Sequence, residues 1–539
     1  MDPNSTTFLI VGLAPELILI AVACTVLMIG MFDVSRRTAC VPALALGGLV
    51  VALAVAVMSP PVGAAERFHV RVDELARTVR IITLAVGVLI VLVNVHLPGR
   101  DERGEFHAMV LFSLAGVMLV GVADDLLVLL FALELVSVPT YVLVAGSSAD
   151  ARAQEAGVKY FFLGALSVAL TVYGLSFLYG ATGTTVMTGG PESVATERYL
   201  AAFARADGRA VIGLVLALAG ITFKMAAVPF HLYAADVYQG AASPITGLLG
   251  FVPKLAGLIG LIKLLSLTGW SWDGTPMLFW VMWVLAAATM TVGNVLALLQ
   301  TNAKRILAYS SVAHSGYLLV AVLAGPAVAG AGGGVFQSGL AAALFYITAY
   351  GVTNLGAFAV LAYLAHRGRP IETVDELAGL SRAHPGAALV LAICLFSLMG
   401  MPPTAGFFGK VGVFSAAISA DDPALVALAI IGVINAAIGA AYYLRLIAAC
   451  YLRSPTVALE GQSCPALRSA MGACAVAVLL LGLWPRYLMD LSQRATSGLQ
   501  RADGAVVATI EAAPPETVGV EPRLARYAEP AERAVPNNR

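Results

Sequence analysis

The strongest constraint on the fold of this chain is a succession of long apolar segments, each about as long as a bilayer is thick. A transmembrane helix needs about 20 mostly apolar residues. Only 12% of the 539 residues are charged and 59% are hydrophobic, whereas a soluble domain has roughly 25% charged residues. The sequence therefore predicts an all-α, polytopic membrane protein of about 14 transmembrane helices. The predicted spans lie near residues 8–32, 41–58, 79–97, 106–122, 126–146, 157–180, 210–231, 243–267, 277–299, 305–324, 335–364, 387–417, 424–452 and 467–488.

The distribution of Lys and Arg between the loops predicts an orientation. Loops after odd-numbered spans hold most of the basic residues, whereas loops after even-numbered spans are mostly free of them, apart from 59–80 and 198–209. Because basic loops stay in the cytoplasm, both termini are predicted to lie on the outer side of the membrane. The N-terminus lacks a basic n-region, so the first span is predicted to be retained. Residues 491–539 are rich in Pro, Ala, Glu and Arg and are predicted to form a mobile tail.

Several classes of function are disfavoured by composition. The formal net charge is zero, so no nucleic-acid partner is expected. No two of the six cysteines have C-x-x-C spacing, and we interpret them as small core residues without an iron–sulfur or haem role. The glycine-rich stretch at 330–334 is no nucleotide fingerprint, since no strand precedes it. The sequence contains no metal-ligand cluster, and a self-contained enzyme is not expected.

Two apolar segments are interrupted in similar ways. "FKMAAVPFHLYAADVYQGAASP" ends the seventh span and "LFSLMGMPPTAGFFGKVGVF" lies within the twelfth. Each combines a proline, small residues, aromatic residues and a lysine. Because the two segments are five spans apart, they predict two inverted five-helix repeats, each with a discontinuous helix. Irregular backbone at membrane depth must line a cavity or be covered by protein, which indicates a hydrated interior. The predicted divisions are three N-terminal helices (1–105), a first repeat (106–270), a second repeat (271–455), a last helix (456–490) and the tail (491–539).

Five ionisable residues fall inside the predicted spans. Glu134 is near the middle of the fifth span, Lys224 and His231 are in the seventh, Lys254 is in the eighth and Lys410 is in the twelfth. A charge at a helix centre costs roughly 2.5–3.5 kcal/mol, so these groups are expected to face one another or water. A lysine in a low-dielectric site releases its proton more easily, a nearby carboxylate holds that proton, and histidine exchanges protons near neutrality. Together the five residues are interpreted as a buried proton path.

Each of these residues also has a structural interpretation. Glu134 and Lys224 could form a helix-packing pair, Lys254 could reach the interface from a helix broken at Pro253, and Lys410 could lie near an interface. The coincidence of one acid, three lysines and two broken helices favours the proton path. Lys159, at the start of the sixth span, is interpreted as a polar partner that supports the residues of the path.

Three further polar residues receive weaker interpretations. Lys304 lies between two spans and is interpreted as a loop residue. His314 fits a hydrogen-bonded core histidine as well as a proton relay. Glu16 follows a proline near the start of the first span and is interpreted as interfacial.

Three stretches of the sequence resemble a known family. "FKMAAVPFHLYAADVYQGAASPITGLLGFVPK", "NVLALLQTNAKRILAYSSVAHSGYLL" and "GMPPTAGFFGK" are similar to signatures of the antiporter-like membrane subunits of respiratory complex I. "KYFFLGALSVALTVYGLSFLYGATGTT" and "DVYQGA" point to the subunit N type of NADH–quinone oxidoreductase. The resemblance covers roughly residues 100–455. Gln239 and Ala242 depart from it, because charged or bulkier residues are commoner at these positions, and the tail is longer than expected.

The resemblance implies a specific fold and specific roles. It implies fourteen helices with two inverted repeats, an ion pair between Glu134 and Lys224, a central lysine at 254 and a lysine of the second broken helix at 410. A sister subunit usually has glutamate at this last position, which supports subunit N. His231 and Lys159 match polar positions of the family's central axis.

The resemblance also implies partners and a division of labour. The chain would translocate protons and carry no cofactor, while FMN, iron–sulfur clusters and quinone would be bound by partner subunits. Its partners would be other membrane subunits of complex I, the lipid bilayer, protons and water. Two alternatives remain open: a subunit of a multi-subunit sodium/proton antiporter, which shares these signatures, and a membrane scaffold whose charges only hold helices together.

Overall fold

The chain folds into a bundle of long α-helices. A computed structural model describes residues 10–31, 40–61, 63–65, 69–95, 103–148, 150–187, 194–272, 275–327, 338–366 and 369–499. The helices are α1 Ala14–Met31, α2 Cys40–Met58, α3 Glu74–Asn94, α4 Arg103–Val122, α5 Leu126–Ala145, α6 Ala151–Thr182, α7 Val194–Ala204, α8 Gly208–Lys224, α9 Ala234–Gly240, α10 Ser243–Leu249, α11 Val252–Ser266, α12 Pro276–Leu298, α13 Ala303–Ala324, α14 Gly339–Tyr363, α15 Leu380–Ala383, α16 Pro385–Met399, α17 Ala405–Ser419, α18 Pro423–Leu452, α19 Pro465–Leu483 and α20 Arg486–Thr496.

Short strands connect some of the helices. An antiparallel pair is formed by β1 Gly63–Ala65 and β2 Val70–Val72. In a second sheet, β3 Leu364–His366 lies between β4 Arg369–Pro370 and β5 Glu460–Gly461, antiparallel to both. A 3₁₀ turn at Asp375–Leu377 follows β4.

The helices confirm the predicted polytopic membrane fold. Among the described residues, 12 helical spans are long and apolar enough to cross a membrane, and one of them, Ser243–Ser266, consists of α10 and α11 together. A thirteenth span results if Ala195–Ala204 and Gly208–Lys224, which meet at 103°, are counted together. Each predicted span coincides with a helix or a pair of helices. The count of fourteen and the inverted repeats stay predictions, because the two interrupted segments consist of helices shorter than a bilayer crossing.

The tail is predicted to begin at residue 491, but the last described helix extends beyond that residue. Helix α20 continues to Thr496, and it packs against α3 and α14 through an apolar side that includes Leu488. Residues 500–539 lie outside the described part of the chain, as does the glycine-rich stretch at 330–334.

Both interrupted segments break where the sequence indicates. Helix α8 ends at Lys224, an irregular turn occupies residues 225–233, and the chain then continues through α9, α10 and α11. Helix α16 ends at Met399 and α17 begins at Ala405; Gly400 between them has a φ of +89°, a conformation that favours glycine. The peptide bonds before Pro229 and Pro403 are cis.

Burial separates inner helices from peripheral ones. In α13, all residues but Arg305 and Tyr309 are buried, and in α14 all but Ala362. Peripheral helices instead expose large apolar side chains, such as Phe131 and Phe162. In a bilayer such a surface faces acyl chains. Of the cysteines, two are exposed and four buried; the exposed ones are Cys24 and Cys40, and the buried ones are Cys394, Cys450, Cys464 and Cys474.

Glu16, interpreted from the sequence as interfacial, lies in the first turn of α1 and is buried between helices, and its depth in the membrane stays a prediction. Its side chain is 1% exposed and forms a bidentate ion pair with Arg80 of α3, which is 2% exposed. Arg80 Nε lies 2.6 Å from Glu16 Oε1 and Arg80 Nη2 lies 2.9 Å from Oε2. Nη2 also donates to the carbonyl oxygen of Gly12 at 2.7 Å. Arg80 therefore ties α3 to α1 inside the bundle.

Helices α6 and α8 pack closely because small residues face each other. A Cβ on Gly174 would lie 2.4 Å from the backbone nitrogen of Ala217, and one on Gly213 would lie 2.8 Å from the carbonyl oxygen of Gly174. Interfaces between membrane helices use such residues to let the backbones approach. This contact holds α8, and with it Lys224, against α6.

We expect Gly174→Ala to destabilise the protein by about 1–3 kcal/mol, the usual cost of overpacking a tight contact. The added methyl group would push α8 away from α6. The thermal unfolding midpoint of the purified protein measures this loss. Gly180→Ala is the matched control, because a Cβ on Gly180 of the same helix would have no atom within 4 Å. Equal midpoints for the two variants would contradict the close contact.

Candidate functional site

The structure brings Glu134 of α5 and Lys224 of α8 together. Lys224 Nζ lies 3.1 Å from Glu134 Oε1 and donates to Ser137 Oγ at 2.5 Å. Ser137 is three residues beyond Glu134, so both face α8. The lysine side chain is 5% exposed and the glutamate side chain 25%. Because Lys224 is in the last turn of α8, its ammonium also lies at the negative end of that helix.

Lys254 of α11 is the most deeply buried of the predicted site lysines. It is 1% exposed. Its Nζ donates to the carbonyl oxygen of Ser311 and, at 2.7 Å, to Ser315 Oγ, both on α13. Ser315 Oγ in turn donates to the carbonyl oxygen of Met225 at 2.5 Å. Met225 directly follows Lys224, so one serine joins the first helix break to Lys254.

Lys410 of α17 is held by the second helix break. Its Nζ donates to the carbonyl oxygens of Leu398 and Met399, at 3.0 and 2.9 Å. These two residues end α16, where carbonyl groups have no partner within the helix and the dipole is negative. The interruption between α16 and α17 thus supplies acceptors for an ammonium group that is 7% exposed.

His314 of α13 is enclosed by tyrosines. It is 3% exposed. Its Nδ1 lies 2.5 Å from the hydroxyl of Tyr346 and its Nε2 lies 3.0 Å from the hydroxyl of Tyr443. The Tyr443 hydroxyl also bonds to Ser310 Oγ. Both ring nitrogens therefore have hydroxyl partners that can donate or accept a proton.

The tyrosines around His314 also contact the two lysines. Lys254 Nζ lies 5.4 Å from the ring centroid of Tyr350, and Lys410 Nζ lies 5.2 Å from that of Tyr317. The His314 ring is 4.8 Å from the Tyr350 ring and 5.7 Å from the Tyr317 ring, between centroids. His314 is thus placed between Lys254 and Lys410.

The structure does not bring His231 and Lys159 into this chain of contacts. Helix α8 ends at Lys224, so Lys224 and His231 do not share a helical face, and His231 Nδ1 is buried without a hydrogen-bond partner among the described residues. Lys159 Nζ lies 2.8 Å from Glu155 and 3.0 Å from Asp236. Asp236 also pairs with Arg305 at 2.8 Å. Lys159 therefore belongs to a partly exposed charge cluster, and its part in the path stays a prediction.

The interpretation of Lys304 as a loop residue is wrong. Lys304 lies in the first turn of α13, is 4% exposed and donates to the carbonyl oxygen of Ala241 at 2.9 Å.

Sequence reasoning also missed the serines and tyrosines that join the lysines. A signal was available: Ser311, His314 and Ser315 are spaced by three and four residues, which places three polar groups on one face of an apolar helix.

No group of three His, Cys, Asp or Glu side chains that could hold a metal ion occurs within the described ranges. The described site therefore consists of titratable side chains, hydroxyl groups and backbone carbonyls. These groups can hold and exchange protons, and the breaks after α8 and α16 supply part of the acceptors.

Comparison with known proteins identifies the family. Residues 123–439 match the NADH:quinone oxidoreductase/Mrp antiporter transmembrane family. The chain is 39% identical to NADH-quinone oxidoreductase subunit N 2 of Roseiflexus castenholzii, over 88% of this chain and 94% of the relative. It is 36% identical to subunit N of Rhodospirillum rubrum, over 91% and 98%. A chain of respiratory complex I from Thermus thermophilus with bound aureothin has a TM-score of 0.73 and 29% identity, over 89% and 99%. The chain therefore belongs to the subunit N family of NADH-quinone oxidoreductase, the antiporter-like membrane subunits of complex I.

Proposed function

We propose that this chain moves protons across the membrane as subunit N of NADH-quinone oxidoreductase. Electrons would pass from NADH to quinone through FMN and iron–sulfur clusters in partner subunits, and this chain would carry no redox centre. It would lie in the bacterial inner membrane, with both termini on the outer side. The observation that carries the proposal is the connection of Glu134 and Lys224 to Lys254 through Met225 and Ser315.

The first step depends on the ion pair. At an effective dielectric constant near 20, opposite charges about 4 Å apart attract by about 4 kcal/mol. This is comparable to the roughly 2.5–3.5 kcal/mol that an ammonium group costs at the centre of a membrane helix. Glu134 therefore offsets the energetic cost of burying the Lys224 ammonium group. Separating the pair removes this stabilisation and favours release of the lysine proton. A change of charge in a neighbouring subunit could separate the pair.

The following steps pass the proton through the interior. The released proton would reach Lys254 through Ser315 or water near the first helix break. From Lys254 it would move by way of the tyrosines around His314 to Lys410. His231 and Lys159 remain proposed members, His231 at the break and Lys159 in the charge cluster that includes Asp236. The partners in this process are other membrane subunits of complex I, lipid and water.

Two alternatives predict different results. The matching family also includes Mrp antiporters, but the relatives at 36–39% identity are named NADH-quinone oxidoreductase subunits. An antiporter subunit would support sodium-dependent transport without a requirement for quinone. A membrane scaffold would lose assembly, and not proton transport, when its buried charges are removed.

Glu134→Gln tests the proposal in the complete complex reconstituted in vesicles. We expect proton uptake per NADH oxidised to fall about fivefold, because the hydrogen bond between charged groups, worth about 1.5–3 kcal/mol, is replaced by a weaker one. A pH-sensitive dye measures the uptake. Glu74→Gln is the matched control, since this partly exposed carboxylate pairs with Arg77 at 3.8 Å and lies outside the path. Normal pumping by assembled Glu134→Gln complex would overturn the role of the pair.

A further inference from the structure

A cavity of about 320 Å³ opens beside the first interrupted segment. Its walls come from the loop after α5, the junction between α9 and α10, and the sheet residues of β3 and β4. The lining includes Ser147, Gln239, Ser243 and Gln462. The loops that line the cavity, including the one with Gln462 after α18, all follow odd-numbered predicted spans, so the cavity opens on the predicted cytoplasmic side.

The mouth of the cavity is charged. Arg152 Nη1 and Glu372 Oε1 lie 3.2 Å apart and connect the start of α6 to the segment after β4. Both side chains are exposed, at 64% and 39%, and both line the cavity together with Asp150. Charges of both signs at the rim keep the opening hydrated, so water can enter the cavity.

Lys304 is the buried titratable group that lines this cavity. Its ammonium group has three donors, and the hydrogen bond to the carbonyl oxygen of Ala241 uses one of them. The other donors are available to water in the cavity. The proton path described above does not use Lys304.

A polar stripe leads from Lys304 to Lys254. On α13, Ser311 and Ser315 lie seven and eleven residues beyond Lys304, which places each serine within about 20° of Lys304 around the helix and spaces Lys304 and Ser311 about 10 Å apart along it. Lys254 Nζ donates to the backbone carbonyl oxygen of Ser311 and to Ser315 Oγ. The Ser311 hydroxyl accepts from Tyr350, whose ring centroid lies 5.4 Å from Lys254 Nζ. Tyr238, whose hydroxyl is 3.3 Å from Ser311 Oγ, spans part of the distance from the α9–α10 junction.

We propose that Lys304 takes up protons from this cavity and passes them along the stripe to Lys254. The inference rests on the proposed proton-translocating function and adds an uptake group and a side of uptake to it. Lys304 would receive a proton from cavity water, and release it through Tyr238 and Ser311 when Lys254 is unprotonated.

The first test compares Lys304→Met and Lys304→Arg in the complete complex. We expect Lys304→Met to slow proton uptake about threefold at unchanged assembly. The loss is smaller than that expected for a group that water cannot reach, because cavity water can partly replace Lys304 in proton transfer. An arginine side chain does not release its proton, so proton uptake by the Lys304→Arg complex should be slowed equally. The control is Lys263→Met, which removes a similar bond, from Nζ to the carbonyl oxygen of Ala123 at 2.6 Å, far from the cavity. Wild-type uptake by both Lys304 variants would overturn the inference.

Chemical modification decides the question in complex that is already assembled. Lys304→Cys is treated with aminoethyl methanethiosulfonate, which attaches a primary amine, or with the trimethylammonium reagent, which attaches a fixed positive charge. We expect the amine to restore uptake and the fixed charge to leave it slow. Equal restoration by both reagents would show a requirement for charge alone, and restoration by neither would show that the cavity does not lead to this position. Either result overturns the inference, and treated wild-type complex is the control for other cysteines.

The outcomes separate this inference from the function on which it rests. If Lys254→Met stops pumping while Lys304→Met pumps at the wild-type rate, the uptake role fails and the proposed function stands. If both variants pump normally, the proposed function itself fails.

Discussion

Complex carrying Lys254→Met is expected to retain less than about one tenth of wild-type proton uptake, because a positioned proton-transfer group usually contributes a factor of about 100 or more. Methionine has nearly the length of lysine but carries no proton. The substitution removes the donor that links Ser311 and Ser315 to the path. Uptake by vesicles during NADH oxidation, measured with a pH-sensitive dye, gives the result directly.

Leu258→Met is the matched control for this prediction. Leu258 lies one turn beyond Lys254 on α11 and is fully buried. The control introduces the same side chain at nearly constant volume, which usually costs less than about 1.5 kcal/mol. If Lys254→Met complex assembles normally and still pumps at the wild-type rate, the proton path is refuted. Reduced assembly with unchanged uptake per assembled complex would favour the scaffold alternative.

Arg80→Leu should have the largest effect on stability. The substitution leaves the Glu16 carboxylate buried at 1% exposure without its partner. Breaking a buried ion pair from one side costs about 3–5 kcal/mol, since an uncompensated charge remains. The thermal unfolding midpoint and the yield of assembled complex measure the loss. Arg77→Leu is the control on the same helix, because Arg77 is partly exposed and its ion pair with Glu74, at 3.8 Å, should contribute about 1 kcal/mol or less.

A double variant identifies the cause of that loss. Glu16→Met combined with Arg80→Leu removes both charges and fills the site with apolar side chains. Replacement of a whole buried pair by apolar residues is often neutral or stabilising, so the double variant should recover most of the stability. A double variant no more stable than Arg80→Leu would show that the packing of the arginine, and not its charge, holds α1 to α3.

Much of the site follows from the sequence because charges in apolar segments are rare. Glu134, Lys224, Lys254 and Lys410 stand out in this way, and the proline-containing breaks locate the irregular backbone near two of them. The structure confirms the polytopic helical fold and places Glu134 against Lys224. The roles of these residues in proton transfer, the inverted repeats and the orientation stay predictions.

Other features depend on neighbours that are distant in the sequence. Arg80 and Glu16 are 64 residues apart, and each alone fits an interfacial charge near the end of a span. His314 is hydrogen-bonded at both ring nitrogens, to Tyr346 and Tyr443, and neither partner follows from the sequence.

The sequence by itself determined that this chain crosses a membrane many times, where its helices break and that Lys224, Lys254 and Lys410 are buried. Hydropathy and proline positions suffice for that, because the cost of placing a charge or an open peptide group in lipid depends on local sequence. Only the tertiary structure decided which groups are partners. Lys159 pairs with Asp236, and Lys304 lines a cavity beside the first interrupted segment. Such pairings depend on how helices turn and pack against each other, and one-dimensional periodicity does not record that.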